Sequence, residues 1–111
     1  MKKIILGMFA AASLVIAGAA MAADEKVVEM PELAKAHRCN ACHAIDVRVV
    51  GPAWKSVADK YRGDAAAPAL LLTKVSKGGK GVWGTMPMPA NDLPGTSQKE
   101  LADLIKFILA L

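Results

Sequence analysis

The strongest periodic signal lies at the C-terminal end of the chain, where Leu101, Leu104, Ile105, Ile108 and Leu109 recur at three- and four-residue intervals. That spacing predicts an amphipathic helix with a single apolar stripe. Ser97-Gln98-Lys99-Glu100 stands before it and reads as a capping box, in which Ser97 and Glu100 satisfy each other's backbone donors. A second helix is predicted from Pro52 or Ala53 onward, because Trp54, Val57, Ala58 and Tyr61 fall on one face, and Gly63 can end it. A third runs from near Pro68 to Gly78-Gly79, with Leu71, Leu72 and Val75 on one side. The first begins near Pro31, a residue suited to an opening helical turn, and is expected to continue into the Cys39 region. No segment shows a strand pattern, so the expected fold class is all-α, about four helices joined by loops. Between the third and fourth helices, Gly78 to Gly95 has four glycines in its first seven residues and prolines at 87, 89 and 94. A loop that long inside a small domain tends to carry function.

A different pattern precedes the helices. Lys2 and Lys3 are followed by an uncharged, mostly apolar run from Ile4 to Ala20, then Ala20-Met21-Ala22 and the acidic pair Asp24-Glu25. A basic start, an apolar stretch and a small-residue cleavage site make a secretory signal peptide over residues 1–22, leaving residues 23–111 as one domain. The competing reading is a retained anchor, since Ile4 to Ala23 has the length to span a bilayer. Its Ala and Gly content, and the lack of a basic cluster after it, favour cleavage. No cysteine stands near the cleavage point to accept a lipid. The whole chain carries +4, and without Lys2 and Lys3 it carries +2. That small excess, with few arginines and no basic run interleaved with aromatics, gives no case for nucleic-acid binding.

The chemistry is concentrated at Cys39-Asn40-Ala41-Cys42-His43, a C-x-x-C-H motif holding the only two cysteines of the chain. Two thiols at this spacing can add to the two vinyl groups of a porphyrin, and the adjacent imidazole can then bind the iron; the pattern is the attachment signature of a c-type haem. A thiol redox centre also uses C-x-x-C, but in a βαβ setting that this chain lacks. A structural zinc site would need His37, Cys39, Cys42 and His43 crowded into seven residues, where zinc sites spread their ligand pairs. Haem attachment fits best. A covalent haem also gives so small a domain the centre of its core.

The long loop supplies chemistry for the other face of a haem. In Gly81-Val82-Trp83-Gly84-Thr85-Met86-Pro87-Met88-Pro89-Ala90-Asn91, Met88 stands between two prolines that stiffen the backbone. Thioether sulfur is a soft neutral ligand that favours Fe(II) and raises the reduction potential. Met86 and Met88 could instead be apolar filler; the C-x-x-C-H motif and the prolines shift the reading of Met88 toward a metal ligand.

Taken together, Cys39 to Asp46, Val50-Gly51-Pro52-Ala53-Trp54-Lys55, Gly81 to Gly84 and Pro87 to Asn91 resemble the small bacterial class I c-type cytochromes, the cytochrome c-551 (cytochrome c8) group in particular. The likeness spans nearly all of residues 23–111, with the motifs in the same order. It implies a class I cytochrome c fold around one haem c, thioether-bound to Cys39 and Cys42, with His43 and Met88 as the two metal ligands. It further implies that the Pro52 carbonyl orients His43, that the Trp83 indole and Lys74 serve the haem propionates, and that Asn91 hydrogen-bonds near the Met88 sulfur. Cys42, Pro52, Trp83 and Met88 should then line one apolar pocket. Trp54 reads as core packing. Two departures stand out: Leu33 and Ala34, opposite Phe107, are smaller than the aromatic often found there, and His37 is expected to be solvent-exposed.

The function implied is a periplasmic electron carrier rather than an enzyme. Its partners would be redox proteins such as a cytochrome complex, a terminal oxidase, a nitrite reductase or a copper protein. An enzyme or gas sensor with an open iron site, and a subunit of a larger complex, are the other classes; a second axial ligand at Met88 argues against the first of these. Val47, Val49, Val50, Met86 and Ala90 are expected to form an apolar docking rim, ringed by Arg38, Arg48, Lys55, Lys77 and Lys80.

Overall fold

The computed structural model describes residues 27–111. The proposed signal segment, residues 1–22, and its cleavage point after Ala22 lie outside the described residues. Four α-helices follow one another: α1 (Glu32–Ala36), α2 (Trp54–Tyr61), α3 (Ala67–Lys77) and α4 (Gln98–Leu109), with a 3₁₀ turn at Cys39–Ala41 between α1 and α2. Among the described residues there is no strand, only two isolated bridges that pair single residues.

α4 is the organising element. Leu101, Leu104, Ile105 and Ile108 are all buried, and the helix lies against both α3 and α2. Each such side chain removed from water is worth about 1.5–3 kcal/mol before the entropy of ordering it is set against that gain. Trp54 at the start of α2 is 2% exposed and meets Phe107 of α4 edge-on, ring centroids 6.2 Å apart. That geometry suits the aromatic quadrupoles and makes Trp54 the core residue its helical spacing indicated. α1 touches α4 more lightly, through fully buried Ala34 with Leu33 and Phe107 at the margin of the core.

Two local expectations give way. α1 does not continue into the cysteines. It stops at Ala36, and Arg38 adopts a left-handed conformation (φ 59°) that redirects the chain into the 3₁₀ turn. At the other end, Ser97 occupies the N-cap of α4 in extended conformation, but no side-chain capping bond forms. Gln98 is the residue that engages: its Oε1 accepts from the buried Ser76 hydroxyl at 3.3 Å and its Nε2 donates to Asp92 at 3.2 Å. Tying α4 to the end of α3 and to the long loop takes the place of the local cap. α3 opens as its proline predicts, with Pro68 in the first turn, after an Asp64 side chain that accepts from the Ala66 N–H.

Candidate functional site

The C-x-x-C-H segment is wound into a single turn. The N–H groups of Cys42 and His43 both donate to the Cys39 carbonyl, at 3.1 and 2.8 Å. The chain then loops out and returns, and the Val50 and Gly51 N–H groups donate back to the Cys42 carbonyl, at 3.2 and 2.8 Å. This return brings Pro52 beside the histidine, with His43 Nδ1 2.8 Å from the Pro52 carbonyl oxygen. A carbonyl can only accept, so Nδ1 is the donor, and in the neutral ring the lone pair is then on Nε2. The same arrangement orients histidine ligands at metal sites generally. Behind the ring lies Trp54, centroid to centroid 6.1 Å. Gly51 closes the remaining side: a Cβ there would stand 2.5 Å from His43 Cε1, so no larger residue fits.

Across the cleft, the long loop is fastened to α3. Met88 N–H donates to the Gly79 carbonyl at 2.8 Å, and Gly79 N–H returns a bond to the Met88 carbonyl at 3.1 Å. Gly78, just past the helix end, has φ 71° and ψ −167°, a region essentially restricted to glycine. A Cβ at Gly78 would lie within 2.3 Å of the Met88 carbonyl oxygen. Farther along, the Asn91 N–H donates to the Val75 carbonyl at 3.0 Å. The Asn91 side-chain amide donates to the carbonyls of Val75 and Pro89, at 3.2 and 3.3 Å. The Asn91 side chain thus ties the loop just past Met88 to the end of α3 through backbone carbonyls rather than through the Met88 sulfur. Met88 is half-buried, whereas Met86 is 65% exposed.

All eight residues singled out from the sequence, Cys39, Cys42, His43, Pro52, Lys74, Trp83, Met88 and Asn91, line one cleft. Its floor is apolar, built by Trp54, Val57, Leu71, Leu104, Ile105 and Ile108 from three helices. The cleft is a broad, open hollow lined by residues from the C-x-x-C-H segment, three helices and the long loop, more than an ion alone would call for. Burial pushes the Cys39 thiol above the ordinary thiol range. Two thiols, an imidazole with Nε2 unengaged and a thioether around an apolar floor are the donor set that a covalent haem requires.

Other residues join the site that sequence reasoning placed elsewhere or left without a role. His37 lines the cleft and is half-buried rather than fully solvent-exposed as expected. Arg48 also lines the cleft and donates to the Trp83 carbonyl at 2.8 Å. Lys60 of α2 lies over the Trp83 ring, 5.7 Å from its centroid. Gly51 and Gly78 had no assigned role; the only sequence signals were their positions, next to Pro52 and at the end of a predicted helix. Val50 and Met86 of the expected rim line the cleft and are exposed, as is Val82; Val47, Val49 and Ala90 are exposed without lining it. Lys55 of the expected charged ring is paired with Asp46.

The profile of the cytochrome c family matches residues 27–111. The chain belongs to the cytochrome c family. Cytochrome c-552 of Nitrosomonas europaea is 42% identical over 106 residues, 95% of this chain and 96% of that protein. Cytochrome c-551 of Pseudomonas aeruginosa is 41% identical over 102 residues, 92% of this chain and 95% of its own. The crystal structure of wild-type Nitrosomonas europaea cytochrome c552 superposes with a TM-score of 0.66 at 41% identity, covering 72% of this chain and 96% of that one. A class 1 cytochrome of Sideroxydans lithotrophicus gives 0.58 at 32% identity, covering 71% and 88%. The fold is therefore that of a class I cytochrome c, as the sequence motifs implied, and the family is one of small haem electron carriers. The cytochrome c family binds haem c covalently, and Cys39 and Cys42 are this chain's C-x-x-C-H pair for it.

Proposed function

We propose that this cytochrome c is a periplasmic carrier of single electrons, secreted by cleavage after Ala22. In it, Cys39 and Cys42 form the thioethers, and His43 and Met88 are the axial ligands. The haem supplies a one-electron store, its iron alternating between Fe(II) and Fe(III). The observation that carries the reading is the hydrogen bond from His43 Nδ1 to the Pro52 carbonyl, which leaves Nε2 as a donor on one side of the cleft. Met88, its backbone paired with Gly79, lines the same cleft and supports the reading of its sulfur as the second donor. The chain's own part is to hold both donors still. Pro87 and Pro89 stiffen the loop, Asn91 braces it to α3, and Gly51 packs against the imidazole. Donors that stay in place through both oxidation states keep reorganisation small. Lys74 and Trp83, both half-buried along the cleft, serve the propionates. With His43 and Met88 both holding the iron, no position would remain for a substrate, which would separate a carrier from an enzyme or a gas sensor.

The exposed Val50, Val82 and Met86 of the cleft, with exposed Val47, Val49 and Ala90 of the two flanking loops, form the docking rim. Arg38, Arg48 and Lys80 on the cleft, with exposed Lys55 and Lys77, favour partners with an acidic surround. Redox proteins such as a cytochrome complex, a terminal oxidase, a nitrite reductase or a copper protein are the partners this rim would meet in brief encounters. The test is a pair of variants followed by near-infrared absorption and carbon monoxide binding. Met88→Ala should abolish the sulfur–Fe(III) band, lower the potential and admit carbon monoxide to the reduced protein. Met86→Ala should change none of these. The reverse pattern would mean that the loop register is two residues off.

A further inference from the structure

Arg48 joins the two sides of the cleft. Its backbone forms an antiparallel bridge with His43, and its guanidinium reaches a segment 35 residues further along the chain. There Nη2 donates to the Trp83 carbonyl at 2.8 Å. A Cβ on Gly84 would stand 3.5 Å from the same nitrogen, so the guanidinium lies along the Trp83–Gly84 backbone. Among the described residues this is the one hydrogen bond joining segment 39–52 to segment 79–91, and Arg48 makes no ion pair there. The Trp83 end is held as well, with Lys60 over the indole and a turn closed by Gly81 N–H to the Gly84 carbonyl at 2.8 Å. From Trp83 the chain reaches Met88 in five residues that include Pro87, so a hold on Trp83 limits how far Met88 can travel.

We propose that Arg48 is a positioning residue, a latch that holds the Met88 loop against the His43 side of the cleft and so sets how readily Met88 leaves the iron. The inference rests on the reading of His43 and Met88 as the axial ligands. An external ligand can bind the ferric protein only when the loop is open, so its apparent affinity scales with the open fraction. Removing one net hydrogen bond multiplies that fraction by about two to ten. The experiment is imidazole titration of the ferric holoprotein, with the near-infrared band recorded before imidazole is added. Arg48→Ala should keep the band yet bind imidazole about two- to tenfold more tightly than the wild type. Arg48→Lys should fall between, since an ammonium can reach a carbonyl but lacks the planar fork. Arg62→Ala, which breaks the Arg62–Asp59 pair at 2.7 Å on the outer face of α2, should match the wild type. Unchanged imidazole affinity in Arg48→Ala overturns the latch, as does an equal rise in Arg62→Ala, which would be general destabilisation. A Met88→Ala protein that keeps the near-infrared band would instead overturn the ligand assignment beneath it.

Discussion

Replacing Gly78 with alanine tests the site through its backbone, without touching any donor atom. The glycine sits at φ 71° and ψ −167°, where an alanine is strained by about 1–3 kcal/mol. The added methyl also has nowhere to go: it would lie 2.3 Å from the Met88 carbonyl oxygen and 2.9 Å from both the Ala90 nitrogen and the Pro89 carbonyl carbon. All three are backbone atoms, so no side chain can rotate away. Restoring ordinary contact requires the Met88–Ala90 segment to move by roughly 1 Å, which breaks its pairing with Gly79 and adds about 1 kcal/mol of lost hydrogen bonding. The expected total is about 2–4 kcal/mol, a fall of roughly 10 °C or more in the unfolding midpoint of a domain this size. Gly63→Ala serves as the control, because Gly63 also has positive φ (79°) but nothing within 4 Å of its Cβ position. It should show the conformational cost alone and leave the near-infrared band intact. Holoprotein thermal scans and near-infrared spectra are the assays. Gly78→Ala should lose both stability and band intensity. A Gly78→Ala protein indistinguishable from Gly63→Ala in both measurements would refute the claim that this glycine sets the Met88 position.

Two further outcomes are expected. The intact mass of the periplasmic protein should equal residues 23–111 plus one haem, and a species retaining Met1 in the membrane fraction would show the N-terminal segment to be an anchor. The second-order rate of electron transfer to a physiological acceptor should fall as ionic strength rises, because charges at the rim are screened within about 10 Å at 0.1 M salt. Lys77→Glu and Lys80→Glu should slow it further while the midpoint potential stays put; a rate that ignores salt would leave the apolar rim as the whole of the docking surface.

The cofactor and the family were legible because their signals are contiguous. Cys39, Cys42 and His43 are neighbours in sequence, and a covalent attachment motif needs no tertiary structure to be read. The helices were legible for the same reason: the stripe Leu101, Leu104, Ile105, Ile108 repeats within one element, and burial follows the period. The boundaries were less so. Ser97 and Glu100 have the composition of a capping box, but Gln98 found partners in Ser76 and Asp92, which lie on other elements. A local rule lost there to a tertiary contact.

What only the folded molecule decided is the matching of distant segments. Nothing near Arg48 in the sequence points to Trp83, yet the guanidinium ends on that carbonyl. Gly51 and Gly78 look like ordinary loop glycines until the imidazole and the Met88 carbonyl arrive against them. His37 reads as a surface residue, and only the fold puts it, half-buried, on the cleft. By itself, the sequence determined which donors the protein has and which helices carry them. Their meeting in one cleft depends on packing and hydrogen bonds between residues far apart in the chain, and a linear pattern does not record those distances.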